Sequence, residues 1–265
     1  GDITKELDSL NKNSFNKFGG FDDESKLKFV LAEPNITYFP GKHVVKVVVN
    51  EGKIHKVIAQ DIRTNMQYQI CGNLFADCTG DGNLGYLAGA DSKYGRESIK
   101  ETGESLAPEV TDCLVLGATL HWKTEQNSKP VNFPDCPWAL TFTEESCQNS
   151  LESTWNWETG FQYDMVNEVE LIRDNMFRAI YGNWAFQKNH SKEREKYENY
   201  SLSWIGYILG KRESRRLLGD IIYCQSDIDQ GINYPDGCVT SSWGIDLHYP
   251  DPKNSEYFQS YEFRS

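Results

Sequence analysis

The stretch NLFADCTGDGNLGYLAGA, residues 73–90, says the most about the fold. It begins with a short apolar run, Leu74 to Cys78, which predicts a buried strand. Gly80 and Gly82 follow, and glycine permits both a sharp turn and the close approach of a ligand. Leu84 to Ala88 then predicts a short helix, whose first amides and dipole favour an anionic or hydroxyl-rich group. The stretch therefore predicts a strand, a ligand-binding turn and a helix.

Gly80, Gly82 and Gly85 have the G-x-G-x-x-G spacing of a dinucleotide-binding loop. A Rossmann unit also needs a second apolar strand, ending in an acidic residue about 20 residues later. Residues 91–110 are instead charged and interrupted by glycines. Asp81 lies inside the turn, where its carboxylate would repel a pyrophosphate but could accept hydrogen bonds from ribityl or sugar hydroxyls. A glycine turn that serves packing alone stays open as the alternative.

Three segments upstream of this stretch have the residue pattern of β-strands. They are His43 to Val49, Lys53 to Asp61 and Met66 to Cys71, and the turn residues 50–52 and 63–65 separate them. Short turns of this kind join neighbouring antiparallel strands. The pattern predicts a three-stranded β-meander that leads into the glycine turn.

Four segments carry a family resemblance: EPNI at 33–36, LFADCTGDG at 74–82, GKRESRRLLGD at 210–220 and WGIDLH at 243–248. They resemble FAD-dependent oxidoreductases of the glutathione-reductase-like superfamily, in which a meander precedes a Thr-Gly-Asp or Ala-Thr-Gly turn against the flavin nucleotide. More narrowly, they resemble a bacterial branch often associated with polysaccharide-degradation loci. The resemblance covers nearly the whole chain.

The resemblance implies FAD as the cofactor of the full-length protein. It also implies hydride transfer between flavin and an unidentified small substrate, which could be related to sugars. The strand that starts at His43 matches the position where such flavoproteins contact adenine with main-chain groups. The cofactor-binding candidates are therefore Val44, Val45, Thr79, Gly80, Asp81 and Gly82.

The chain also departs from the family pattern. The family begins with a strand and a true pyrophosphate-binding G-x-G-x-x-G loop, and it ends with a segment that returns to the flavin ring. Neither is recognisable here, because the chain opens on the polar run Asp2 to Asp8 and stops at Ser265. We therefore expect an internal fragment that is inactive alone and binds FAD weakly or not at all.

The expected fold is α/β, of the mixed α+β kind. A partial FAD-binding domain with the β-meander would span residues 1–120. A loop-rich, aromatic substrate domain would span residues 121–265. Within it, apolar residues at steps of three and four predict a helix from Asp164 to Lys188, and we expect this apolar stripe to be core without chemistry.

The composition restricts the partners. A net charge of −12 argues against nucleic acid and anionic membranes, because phosphates would be repelled. No apolar run approaches the roughly 20 residues of a membrane span. Seven cysteines without C-x-x-C spacing or nearby histidines make a metal site unexpected. The expected partner is a small-molecule substrate, while compartment (periplasmic, exported or cytoplasmic), oligomeric state and disulfides stay open.

Lys211 to Arg216 places four cations in six residues, ahead of an apolar strand predicted over residues 217–223. Guanidinium groups can bind carboxylates or phosphates and can stabilise negative charge on a reduced flavin or an oxyanion. An internal ion-pair network with Glu213, Asp220 and Asp227 is the alternative.

Asp246 and His248 form the second catalytic motif. In a strand predicted from Val239 to His248, the two side chains would point to the same side. The carboxylate could then orient the imidazole as a proton-relay pair. With the arginines of the basic segment, the candidate catalytic residues are Arg212, Arg215, Arg216, Asp246 and His248.

A second function class needs no flavin. Tryptophans near carboxylates, such as Trp155 and Trp157 beside Glu158, can present a platform to a sugar, although they can equally fill a core. A carbohydrate-binding or carbohydrate-cleaving domain would use Glu158, Glu213 or Asp246 as acid and base. A purely structural domain is the third class. The flavin spectrum of the full-length protein would separate the first two.

Overall fold

The computed structural model describes residues 23–153, 155–237, 244–249 and 262–264. Helices and small antiparallel sheets are both present, which confirms the mixed α/β class. The division into two domains at residue 120 stays a prediction. The polar run Asp2 to Asp8 and residues 239–243 of the predicted last strand lie outside the described residues.

The helices of the described residues are α1 (Asp23–Ala32), α2 (Asn83–Leu87), α3 (Ile99–Thr102), α4 (Val169–Asn189) and α5 (Gln225–Gln230), with a 3-10 helix at Arg194–Tyr197. The strands are β1 (Lys42–Asn50), β2 (Lys53–Asp61), β3 (Gln67–Cys71), β4 (Ser92–Lys93), β5 (Trp122–Gln126), β6 (Glu152–Ser153), β7 (Glu158–Thr159), β8 (Tyr200–Ile205), β9 (Arg216–Leu217) and β10 (Phe263–Arg264).

The predicted meander is confirmed, since β1, β2 and β3 form an antiparallel sheet in this order. Glu51 and Gly52 connect β1 to β2 with φ angles of 50° and 74°. Two successive positive φ angles are typical of a hairpin turn whose twist matches that of the strands. Asn65, at φ 61°, lies in the second turn. Local turn chemistry thus explains this sheet.

Three further sheets join distant parts of the chain. β5 lies between β6 and β8, β4 pairs with β9, and β7 pairs with β10. The β4–β9 pair sets Ser92 opposite Leu217 and so holds the basic segment beside the glycine stretch. The β7–β10 pair sets Glu158 opposite Arg264. These short pairings assemble the candidate site.

Helix α4 supplies one wall of the core. Ile172, Met176, Ile180 and Trp184 are each at most 1% exposed, so the predicted apolar stripe is core. The predicted start at Asp164 is wrong, because this carboxylate accepts hydrogen bonds from the N–H groups of residues 166 and 167 in a separate turn, five residues before α4 begins. The opposing wall includes Val115, Ala118, Leu120, Trp122, Phe142 and Trp157.

Lys188 links the end of α4 to the chain that follows it. Its Nζ donates to the carbonyl oxygens of Tyr197, Glu198 and Tyr200 at 2.8, 2.8 and 3.0 Å. Burial disfavours the charged form and lowers the pKa of Lys188 below its ordinary value. The three hydrogen bonds tie the 3-10 helix and the start of β8 to the helix.

Several predicted strands are not strands in the structure. Residues 74–78 are irregular and Leu74 is 92% exposed. Within the predicted strand 217–223 only Leu217 belongs to a strand, as the last residue of β9, and Ile221 and Ile222 are exposed. Outside these predicted strands, residues 33–39 are also irregular, and the apolar run 113–120 is largely buried but makes only isolated bridges among the described residues. An apolar segment becomes a strand only where a neighbouring segment can form backbone hydrogen bonds with it.

Candidate functional site

The glycine turn is shaped by Asp77. Its Oδ1 accepts hydrogen bonds from the N–H and hydroxyl of Thr79 at 3.0 and 2.7 Å, and its Oδ2 accepts from the N–H of Gly85 at 3.0 Å. Burial alone would raise the pKa of Asp77, but these hydrogen bonds outweigh it and hold the pKa below its usual value. Gly80 and Gly82 take the positive φ angles of 78° and 62° that glycine permits.

One face of the turn is packed and the other is open. A side chain at Gly85 would overlap Leu217, and a Cβ at Gly82 would come within 3.0 Å of the same leucine. At Gly80, by contrast, a Cβ would meet no atom within 4 Å. Among the described residues, no protein acceptor receives a hydrogen bond from the N–H groups of Gly80, Asp81 and Gly82. N–H donors without a protein acceptor, in a turn that is open at Gly80, fit a nucleotide's phosphate or hydroxyl groups.

Helix α2 follows the turn and packs against β1, the strand of Val44 and Val45. The pairing of β1 with β2 shifts register between Val44 and Lys46, which is the signature of a bulge. Val45 is 38% exposed. The meander and the turn are therefore neighbours, while the adenine contact of Val44 and Val45 stays a prediction.

The basic segment 211–216 binds the glycine turn through an ion pair and hydrogen bonds. Lys211 Nζ lies 2.5 Å from Oδ2 of Asp81, and Ser214 Oγ donates to Oδ1 at 2.7 Å. Arg215 donates to the carbonyl oxygen of Asp81 at 3.2 Å and to Asn83 Oδ1 at 2.5 Å, and its guanidinium lies 3.9 Å from the centre of the Tyr86 ring. Arg215, predicted as catalytic, therefore contacts the glycine turn.

Arg216 belongs to a second group of ion pairs. It lies 3.0 Å from Glu213 and 3.1 Å from Glu97. The hydroxyl of Tyr249 donates to Glu213 at 3.0 Å, and burial together with this carboxylate raises the pKa of Tyr249 well above its ordinary value. An ion-pair network around the basic segment is therefore present. Among the described residues, the partners predicted at 220 and 227 form no ion pair with it.

Arg212 points to a third group, centred on Glu158. This carboxylate is 4% exposed and lies 2.9 Å from Arg212 and 3.9 Å from Arg264. His248 Nδ1 lies 3.0 Å from Glu158, and His248 Nε2 lies 2.5 Å from Asp246. The imidazole is thus held between a buried carboxylate and a half-exposed one.

The segment 244–249 is not a strand, yet its residues alternate between two sides. Asp246 and His248 face the Glu158 group. Ile245, Leu247 and Tyr249 line a cavity of about 270 Å³, together with Arg96, Glu213 and Arg216. The segment therefore separates the imidazole from the cavity by a single thickness of chain.

The predicted catalytic residues fall into three places. Arg212, Asp246 and His248 meet at Glu158, Arg215 contacts the turn, and Arg216 lines the cavity. Their chemical roles stay predictions. Four further residues of the site are not predicted from the sequence: Asp77, Lys211, Ser214 and Arg264. Only the position of Asp77 at the edge of the turn signals its role. In the part of the chain with described coordinates, no cluster of side chains could hold a metal ion.

Residues 24–264 match the family model of the FAD dependent oxidoreductases. The chain belongs to the FAD-dependent oxidoreductase family. No curated protein and no solved structure matches it significantly. For this FAD-dependent oxidoreductase, family membership indicates flavin-linked redox activity and FAD as the cofactor. Across the described residues, none of the helices has the length and apolar character of a membrane span.

Proposed function

We propose that this protein transfers a hydride between FAD and a small neutral substrate that bears hydroxyl groups, and that His248 accepts the substrate proton. The observation that carries the proposal is the imidazole held between Glu158 and Asp246, with Arg212 alongside. Sugar-related compounds belong to this substrate class.

The open face of the turn is the part of the chain that fits the cofactor. Thr79, Gly80, Asp81 and Gly82 would hold FAD through backbone N–H groups, as the family resemblance implies. Val44 and Val45 would contact the adenine with their main chain. Bound FAD would supply the acceptor for the substrate hydride.

The two sides of the imidazole differ in accessibility. Glu158, with a side chain 6% exposed, fixes Nδ1, whereas Asp246 at Nε2 is 43% exposed and can be displaced. A substrate hydroxyl that replaced Asp246 at Nε2 would deliver its proton to the ring while Glu158 held the ring in place. Arg212 would compensate the negative charge on the oxygen that loses the proton.

The cavity on the opposite side of the segment 244–249 from the imidazole indicates which charge this region accepts. Its two arginines are already paired, Arg96 with Asp112 and Arg216 with Glu213 and Glu97. The lining therefore offers no uncompensated positive charge to an anion.

The test is the reduction potential of FAD in Arg212→Met, compared with Arg194→Met as a control. Arg194 is exposed on the 3-10 helix after α4, so its loss changes the net charge equally. A substrate in contact with Arg212 must adjoin the flavin for hydride transfer, so removal of the arginine should disfavour the negative charge of reduced flavin. The potential should fall by about 30 mV or more, about 1.4 kcal/mol for a two-electron couple. Equal potentials in both variants would refute this placement of the arginine.

The flavin-free alternative is less well supported. It needs Glu158, Glu213 or Asp246 as acid and base. Glu158 and Glu213 are paired with arginines, and Asp246 lies 2.5 Å from His248. Trp157 is 2% exposed and lies in the core, although Trp155 is 68% exposed. Family membership favours the flavin enzyme.

A further inference from the structure

The cofactor turn contains a carboxylate in an unfavourable place. Asp81 lies between Gly80 and Gly82, where a negative charge would repel the phosphates of FAD. Its side chain, however, is only 16% exposed. Lys211 Nζ lies 2.5 Å from Oδ2 of Asp81, and Ser214 Oγ donates to Oδ1 at 2.7 Å. Both oxygens of Asp81 are thus engaged by the protein itself.

The partners of Asp81 come from far along the chain and are themselves fixed. Lys211 also donates to the carbonyl oxygen of Met165 at 3.1 Å, which anchors its ammonium group. Ser214 is 3% exposed, so its hydroxyl has little freedom to turn elsewhere. Arg215 adds a hydrogen bond to the carbonyl oxygen of Asp81 at 3.2 Å. Three side chains of one segment therefore set the position of this single turn residue.

We infer that Lys211 is a positioning residue for the cofactor turn. It neutralises Asp81 and holds the carboxylate against the basic segment, so that the open face at Gly80 can accept negatively charged phosphates. Ser214 supports the same arrangement by a hydrogen bond. This inference rests on the proposed role of the turn in binding FAD. It also links the turn to the imidazole group, because the next residue, Arg212, pairs with Glu158.

The alternative role for Lys211 is direct contact with FAD. The two roles differ in how they depend on Asp81. If Lys211 acts by neutralising Asp81, removal of both charges should restore binding. If Lys211 contacts FAD, removal of Asp81 cannot replace the lost contact. A double-mutant cycle therefore separates the two roles.

FAD is titrated into the complete protein and its variants, with flavin fluorescence as the signal. Lys211→Met should raise the Kd for FAD about tenfold or more, since an unpaired carboxylate remains in the turn. The double variant Lys211→Met with Asp81→Asn should return to within about threefold of wild type. Ser214→Ala, which leaves the charges unchanged, should weaken binding only about threefold. Lys196→Met, which breaks an exposed ion pair, is the matched control for net charge.

Hydrogen exchange of the amides at residues 79–85 without FAD gives a second readout. Lys211→Met should exchange about tenfold faster there than Lys196→Met, because the turn loses its clamp. Equal exchange rates, or a double variant that binds as weakly as Lys211→Met, would overturn the inference. A wild-type protein that binds no FAD but shows the exchange difference would refute the proposed function and leave the positioning role standing.

Discussion

Replacement of Glu158 by glutamine tests the buried ion group most sharply. The substitution keeps the shape of the side chain but removes a negative charge that is 2.9 Å from Arg212 and 3.0 Å from His248. Breaking a buried pair costs about 3–5 kcal/mol, because the remaining charge is left without compensation. The Arg212 side chain is 32% exposed and can regain water, so we expect the lower end of this range, about 3 kcal/mol.

For a protein of this size, such a loss corresponds to a decrease in Tm of about 6–12 °C. Differential scanning calorimetry of Glu158→Gln measures it. The matched control is Glu170→Gln, because Glu170 is 78% exposed and 4.0 Å from Arg173, and such a surface pair contributes less than about 1 kcal/mol. If the two variants lose the same stability, the ion pairs of Glu158 do not stabilise the fold more than a surface pair does.

Other substitutions test the fold elsewhere. Lys188→Met should lower the free energy of unfolding in urea by about 2–3 kcal/mol, because three carbonyl groups lose a charged donor; a change below 1 kcal/mol would contradict this. Hydrogen bonds from Thr111, then from residue 98, lower the pKa of Glu101 from 4.5 to about 2. The difference in free energy of unfolding between wild type and Glu101→Gln should therefore be at its full size above pH 4.5. It should shrink as the pH falls towards 2, because the carboxylate becomes protonated. A difference unchanged at pH 2 would refute this. Gly182→Ala should destabilise by about 3 kcal/mol in thermal melts, because its Cβ would overlap a backbone carbonyl, whereas Gly244→Ala, in open space, should change little.

Local chemistry allowed the meander and the turn to be predicted from the sequence. The β-branched residues of β1 and the turn residues Glu51, Gly52 and Asn65 act within a few positions of each other. The positive φ angles of Gly80 and Gly82 follow from the same kind of local rule. Such features need no knowledge of distant contacts.

The assembly of the site could not be predicted in this way. Lys211 meets Asp81 across 130 positions of sequence, and Glu158 meets His248 across 90. Strand geometry predicts the meeting of Asp246 and His248, yet their segment is irregular, and the same imidazole also contacts Glu158. Charge clusters reveal that ion pairs will form, but tertiary packing decides which residues form them.

The flavin spectrum of the full-length protein tests the central claim most directly. Gly80→Asn places a side chain on the open face of the turn, and Gly103→Asn is its control, since the two glycines have φ angles of 78° and 74° and neither has an atom within 4 Å of its Cβ position. Asparagine tolerates such angles, so both variants should fold. The wild type and Gly103→Asn should absorb visible light as FAD proteins, and Gly80→Asn should not. A colourless wild type, or FAD retained equally by both variants, would contradict the assignment of this turn to the flavin.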